Sequence, residues 1–260
     1  MQRLIYFFLI LSLAGYAQVE ISAIYKDSML LEAKKLFGVD TFGTLYYSSK
    51  NNSFHKRAQD TTITYANFQL GDITTANTFN PLKINLFYQD FNTVIILDNR
   101  LAEVFKVDFN TTLPYINVSY VSTGFDNTLW LFNQDLQQLE LYDYKTRKTR
   151  IKTVPVQSEV LDLKSDYNNC YLLTEKFLYV YSYFGSLIAK YSNEGYESLG
   201  FSKAHLILRN GKQLFILQKN DNEIKAISHP NLLIKQFLTT NESLYIYEDK
   251  ILRHYQLKID

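Results

Sequence analysis

Short apolar-aromatic runs, each entered through a turn-forming residue, recur along this chain. They stand at Gly43-Thr44-Leu45-Tyr46-Tyr47, Asn92-Thr93-Val94-Ile95-Ile96-Leu97 and Asn127-Thr128-Leu129-Trp130-Leu131-Phe132, then at Asn169-Cys170-Tyr171-Leu172-Leu173, Gln213-Leu214-Phe215-Ile216-Leu217 and Ser243-Leu244-Tyr245-Ile246-Tyr247. Aligned on Leu45, Val94, Leu129, Cys170, Leu214 and Leu244, they lie 49, 35, 41, 44 and 30 residues apart. The average is about 40, the period of architectures in which each repeat is one small sheet. Around the third run the pattern predicts strands over 118–122, 138–142 and 148–153, with a turn at Asp143-Tyr144-Lys145-Thr146. Around the fourth it predicts 160–164, 177–181 and 187–191, in the same order. Four short antiparallel strands per unit and six units predict an all-β, six-bladed β-propeller. The central runs alternate poorly between apolar and polar, as strands covered on both faces do. The last unit, 234–257, has three strands before the chain ends, and 19–25 is placed to supply the fourth and close the ring. A β-sandwich, or two smaller β domains, is the alternative reading of the same strands.

The N-terminus adds a compartment to this picture. Arg3, the apolar run Leu4 to Leu13 and the small-residue exit Gly15-Tyr16-Ala17 make a secretory signal peptide over 1–17, cut after Ala17, which leaves 18–260 as one propeller domain. The run is about ten residues, half of what a bilayer span needs, so no membrane insertion is expected. The single cysteine, Cys170, sits inside a strand-like run, where a buried inert thiol is expected and no disulfide can form. Twenty-one Tyr and eighteen Phe favour strands throughout, because aromatic side chains suit a pleated, half-buried surface. The formal net charge of +1 offers no field to gather nucleic acid or a membrane surface.

Candidate chemistry is sparse. His55, His205, His229 and His254 are far apart and show no paired ligand spacing. Clusters at Asp90-Phe91-Asn92, Asp108-Phe109-Asn110 and Asp126-Asn127 carry oxygen ligands suited to a hard cation, yet such residues ordinarily bond their own backbone in turns. No metal, cofactor, small-molecule substrate or catalytic group is expected. Two features suit contact with a partner. Lys148, Arg150 and Lys152 share one face of a strand and form a basic stripe, which doubles as protection against sheet-to-sheet pairing. Tyr115, Tyr167, Tyr183, Phe184 and Tyr196 fall in connections, where aromatic side chains give large contact area at low entropic cost.

Four segments carry a resemblance. Tyr65-Ala66-Asn67-Phe68-Gln69-Leu70-Gly71, Asn80-Pro81-Leu82-Lys83-Ile84 and the stretch from Phe87 to Asn99, together with Leu232-Leu233-Ile234-Lys235-Gln236-Phe237, resemble a family of small periplasmic propellers from gliding bacteria with an outer membrane, typified by the plug subunit of the type 9 secretion translocon. The resemblance covers most of the mature chain and its motifs are structural. It implies a non-catalytic periplasmic binding protein that caps the periplasmic mouth of a large outer-membrane translocon protein. The alternative is a propeller-type enzyme or glycan-binding protein with its site in the central channel, which requires carboxylates or histidines converging on the axis. A third is an adaptor for peptidoglycan-linked envelope proteins.

Overall fold

A computed structural model describes residues 21–59, 61–202, 205–218 and 223–259. The leader expected over 1–17 lies outside them. The N-terminal strand β1 (Ser22–Leu30) is followed by blade 1, made of β2 (Lys35–Val39), β3 (Leu45–Ser48), β4 (Phe54–Ala58) and β5 (Thr61–Tyr65). Blade 2 holds β6 (Thr75–Asn77), β7 (Ile84–Tyr88), β8 (Thr93–Leu97) and β9 (Glu103–Asp108). Blade 3 holds β10 (Val118–Thr123), β11 (Thr128–Asn133), β12 (Gln138–Asp143) and β13 (Lys148–Lys152). Blade 4 holds β14 (Val160–Ser165), β15 (Asn169–Thr174), β16 (Phe177–Ser182) and β17 (Leu187–Ser192). Blade 5 holds β18 (Ser198–Ser202), β19 (His205–Asn210), β20 (Gln213–Leu217) and β21 (Ile224–Ile227). Blade 6 holds β22 (Gln236–Thr240), β23 (Ser243–Glu248) and β24 (Ile251–Lys258), and β1 completes it as its outermost strand.

Every sheet is antiparallel, and the first strand of each blade touches the first strands of both neighbouring blades. That ring of inner strands defines a central axis. Six apolar clusters follow, one in each gap between blades. Successive residues of one strand serve two of them. In β11, Leu129 and Leu131 pack toward blade 2 while Trp130 and Phe132 pack toward blade 4. In β8, Ile95 faces blade 1 while Val94 and Ile96 face blade 3. A strand that must fill two apolar gaps has no polar face, which is why the runs alternate so weakly. Each such side chain contributes roughly 1.5–3 kcal/mol by leaving water. Two flat layers would share one core, so this arrangement rules out the sandwich.

Two expectations about elements need correction. The aligned runs are second strands in blades 1, 3, 4 and 6 but third strands in blades 2 and 5. Counted between true second strands, the starts are 39, 44, 41, 36 and 38 residues apart, a tighter repeat than the runs suggested. The closing strand runs on to Leu30 rather than ending at Tyr25, and it carries a bulge between Tyr25 and Asp27. Its middle, Lys26-Asp27-Ser28, is exposed on the outer edge of blade 6, so no continuous apolar run betrays it. Val19 and Glu20 lie outside the described residues.

Candidate functional site: an aromatic mouth on the propeller axis

Because strands alternate in direction, the turns joining first to second and third to fourth strands lie on one face of the disc. Turns joining second to third strands, and the connections between blades, lie on the other. The first face carries the aromatic side chains. Phe42, on the β2–β3 turn, is 91% exposed, and Tyr167, on the β14–β15 turn, is 68% exposed. Phe79 and Leu82, on the β6–β7 connection, are also exposed, and the Phe79 and Tyr167 rings meet at 4.5 Å between centroids. Phe37, Phe201 and Phe237 from the inner strands line the depression that these rings surround, a cavity of about 320 Å³ at the mouth of the axis.

Local chemistry explains why these rings point outward. Asp40, at the end of β2, accepts from the backbone N–H of Phe42 and of Thr44, both at 2.9 Å, and its second oxygen accepts from the Tyr46 hydroxyl at 3.3 Å. Asn77, ending β6, accepts from the N–H of Phe79 at 3.1 Å. Asp166, after β14, accepts from the N–H of Asn168 and of Asn169 at 2.7 Å. In each case a short acidic or amide side chain replaces water at the turn's own N–H groups and fixes the turn. The residue at its tip, Phe42, Phe79 or Tyr167, is thereby held in solvent. Below the rings lies a polar belt. Asn77 donates to Ser122 at 3.0 Å, Ser122 and Ser165 hydroxyls meet at 2.8 Å, and Asn85 donates to Thr123 at 2.7 Å. These bonds tie blades 2, 3 and 4 together at the axis.

The residues singled out from sequence separate onto several surfaces. Tyr167, Tyr183 and Phe184 share the aromatic face, with Tyr183 edge-on to Phe125 at 5.7 Å and against Phe184 at 3.9 Å. Tyr115 is exposed but sits on the opposite face, in the connection from blade 2 to blade 3. Tyr196 is a correction: it is 4% exposed and belongs to the core between blades 4 and 5. Gly195, at φ +90, turns the chain inward, the Tyr196 N–H donates to Asn193 at 2.6 Å, and the ring packs edge-on against Phe215. Lys148, Arg150 and Lys152 do lie along the exposed face of β13. Buried carboxylates on β12 answer two of them: Arg150 pairs with Asp143, and Lys152 lies 3.8 Å from Glu140. The stripe therefore presents much less net charge than its sequence implies. Phe42, Phe79 and Leu82 were not anticipated. The signal was present as Asp40-Thr41-Phe42 and Asn77-Thr78-Phe79, the same acid-or-amide, threonine, phenylalanine order at the same point of two blades.

The remaining candidates hold structure. Asp108 accepts from the Asn110 N–H at 3.0 Å, and Asn92 reaches across to the Val118 N–H at 3.1 Å and the Ile116 carbonyl at 2.8 Å. His55 stacks on Tyr47 and His254 on Tyr245, each across neighbouring strands. Cys170 is fully buried, and burial drives its thiol pKa well up, away from the reactive thiolate. Among the described residues no three His, Cys, Asp or Glu side chains converge as a metal-holding group.

No family model matches the chain, and no curated protein matches it. Solved structures do. The β-propeller domain of Cps50 (Swd1) from Myceliophteria thermophila aligns with a TM-score of 0.64 at 8% identity, over 91% of this chain and all of that one (100%). Virginiamycin B lyase from Staphylococcus aureus aligns at 0.63 and 10% identity, over 92% and 100%. The Pan2 WD40 domain from Neurospora crassa aligns at 0.59 and 9%, over 88% and 76%. One of these is named for an enzyme and the others are not, and identities this low carry architecture without activity. The chain is a six-bladed β-propeller.

Proposed function

We propose that this is a non-catalytic periplasmic binding protein whose aromatic face docks on a large outer-membrane translocon protein and caps its periplasmic mouth. The observation that carries the binding reading is the set of exposed rings, Phe42, Phe79 and Tyr167, gathered around one end of the axis on turns fixed by their own hydrogen bonds. Exposed apolar side chains gathered in one place mark interaction surfaces. Rings carried on turns whose backbone is already fixed lose little main-chain freedom on docking, so more of their burial energy appears as affinity. A broad disc with such a face suits closure of a wide opening by surface complementarity, with no covalent step. The choice of a translocon as partner rests on the family resemblance of the sequence.

The test is affinity capture from detergent-solubilised envelopes, comparing the native protein with a Phe42→Ser/Tyr167→Ser variant. The native protein recovers a large outer-membrane protein; the variant loses it while its thermal melt is unchanged, since both side chains are solvent-exposed in the free protein. Recovery of no such protein, or equal recovery by both, overturns the reading. A glycan-binding or enzymatic channel would use the same mouth. Asp40 is the one carboxylate among the described residues lining it, and both its oxygens are committed to the β2–β3 turn and Tyr46. General acid or base work there would require breaking that turn.

A further inference from the structure

The ring closes at the seam between blades 6 and 1. Among the described residues its apolar cluster has six buried members, Leu31, Leu36, Val39, Leu45, Tyr247 and Leu252, against seven between blades 4 and 5 and eleven or twelve in the other gaps. On the face opposite the aromatic mouth, the seam opens into a cavity of about 620 Å³. Lys34, Lys35, Lys235 and Lys250 all border it.

The carboxylates nearby do not balance these lysines. Lys34 is paired with Asp72 at 2.6 Å and Lys250 with Glu32 at 2.6 Å. The half-buried Lys35 ammonium donates to the Thr74 carbonyl at 2.6 Å and, among the described residues, has no ion-pair partner. Burial lowers its pKa, and the Lys164 ammonium lowers it further against a smaller opposing effect of Asp162. Lys235 likewise has no carboxylate partner among the described residues, and Asp249 is the only acid on the cavity wall. The uncharged groups point the same way. Asn52 and Gln236 spend their carbonyl oxygens on Lys34 and on the Leu36 N–H, which leaves their NH₂ groups as donors.

Backbone geometry gives an independent sign. The β23–β24 turn places both Asp249 (φ 47) and Lys250 (φ 66) in the left-handed region. A two-residue turn of this kind is ordinarily filled by Asn-Gly or Asp-Gly, because glycine takes such angles without steric penalty. A lysine held there, with its ammonium at the lip of a cavity, is strain kept at a site of use.

We infer that this cavity binds a small ligand carrying more than one phosphate group, held by Lys35, Lys235 and Lys250 across the closing seam. Lysine is a compact point charge that binds phosphate, and the cations lining the cavity among the described residues are all lysines. The volume falls within the range of small-molecule sites and exceeds what one ion fills. Lys34 and Lys35 come from blade 1, and Lys235 and Lys250 from blade 6. Occupancy therefore joins the two ends of the ring. This site lies on the face opposite the proposed docking surface and does not depend on it.

The experiment is calorimetric titration of the purified protein with tripolyphosphate at fixed ionic strength, alongside thermal melts. Tripolyphosphate binds and raises Tm, and Lys35→Met and Lys250→Gly each weaken binding about tenfold, the size of one lost charged hydrogen bond. Lys250→Gly relieves the turn and gives up only the exposed ion pair with Glu32, so without ligand it melts no lower than the native protein, and its loss of binding cannot be ascribed to misfolding. Binding no stronger than that of sulfate at equal ionic strength, or binding that both variants leave unchanged, overturns the site. Citrate binding as tightly as tripolyphosphate overturns the phosphate assignment.

Discussion

Gly38 shows how closely the inner strands approach at the axis. A methyl group at this position would sit 2.0 Å from the Thr78 hydroxyl oxygen of the next blade, although its Cβ would remain 3.3 Å from that of Thr78. Gly38→Ala should therefore lower stability by about 1–3 kcal/mol through overpacking, and the same change in a Thr78→Ala background should cost less than about 1 kcal/mol. A double-mutant cycle by urea denaturation measures both. Lys83 makes a second residue-scale case. Its ammonium leaves the β6–β7 connection to donate to the carbonyls of Gly124 at 3.0 Å and Asp126 at 2.7 Å, locking blade 2 to blade 3. Burial pushes its pKa down to about 8. In the unfolded chain a lysine titrates near 10.4, so between about pH 8 and 10 the unfolded state holds the extra proton and stability rises with pH. Buried tyrosines such as Tyr181, pushed up to about 12, act oppositely at higher pH, because there the folded state keeps the proton. The stability difference between the native protein and Lys83→Met, measured at pH 7.5 and 9.5, isolates the lysine. It should shift in favour of the native protein at the higher pH.

At the scale of elements, the closing strand is the most consequential. β1 pairs with β24 from Ser22–Lys258 to Leu30–Ile251, and Tyr247 fixes the chain that follows by donating to the Leu31 carbonyl at 2.9 Å. Removing residues 22–30 would leave β24 as a free edge with alternating apolar residues, ready to pair with another chain. Light scattering after size exclusion should then show species of higher mass than the native protein gives. Much of this architecture was legible in advance, because strands such as β10, β12, β16 and β17 have clear apolar content and turn residues beside them. What was hidden follows from burial. In blades 2 and 5 both middle strands carry an apolar run, as in Ile84–Tyr88 beside Thr93–Leu97, so pattern alone could not say which was second. The candidate surface was legible in part. Tyr167, Tyr183 and Phe184 announce themselves by standing next to turn residues. Tyr196 has the same local sequence character yet is buried, because the direction taken after Gly195 depends on packing between blades that no short window contains.

For the whole molecule, the two faces of the disc differ in kind. One carries rings around the mouth of the axis, and the other carries lysines around a larger cavity at the seam. A protein that docks through the first face leaves the second open to solvent. Five of the gaps are held by extensive apolar packing, or, between blades 4 and 5, by seven buried residues beside several partly buried rings. The seam has the least, so it is where the ring should open first. Amide hydrogen exchange should accordingly find β1 and β24 less protected than β11 and β12, whose residues are buried along their whole length. The pairing of β1 with β24 also imposes an order in time. The strand β1, made before the six blades, must wait, unpaired, for β24, made after the rest of the ring. No intermediate length of chain can complete the circle, and the waiting strand is the stretch of polypeptide most open to capture by a chaperone or by a second molecule.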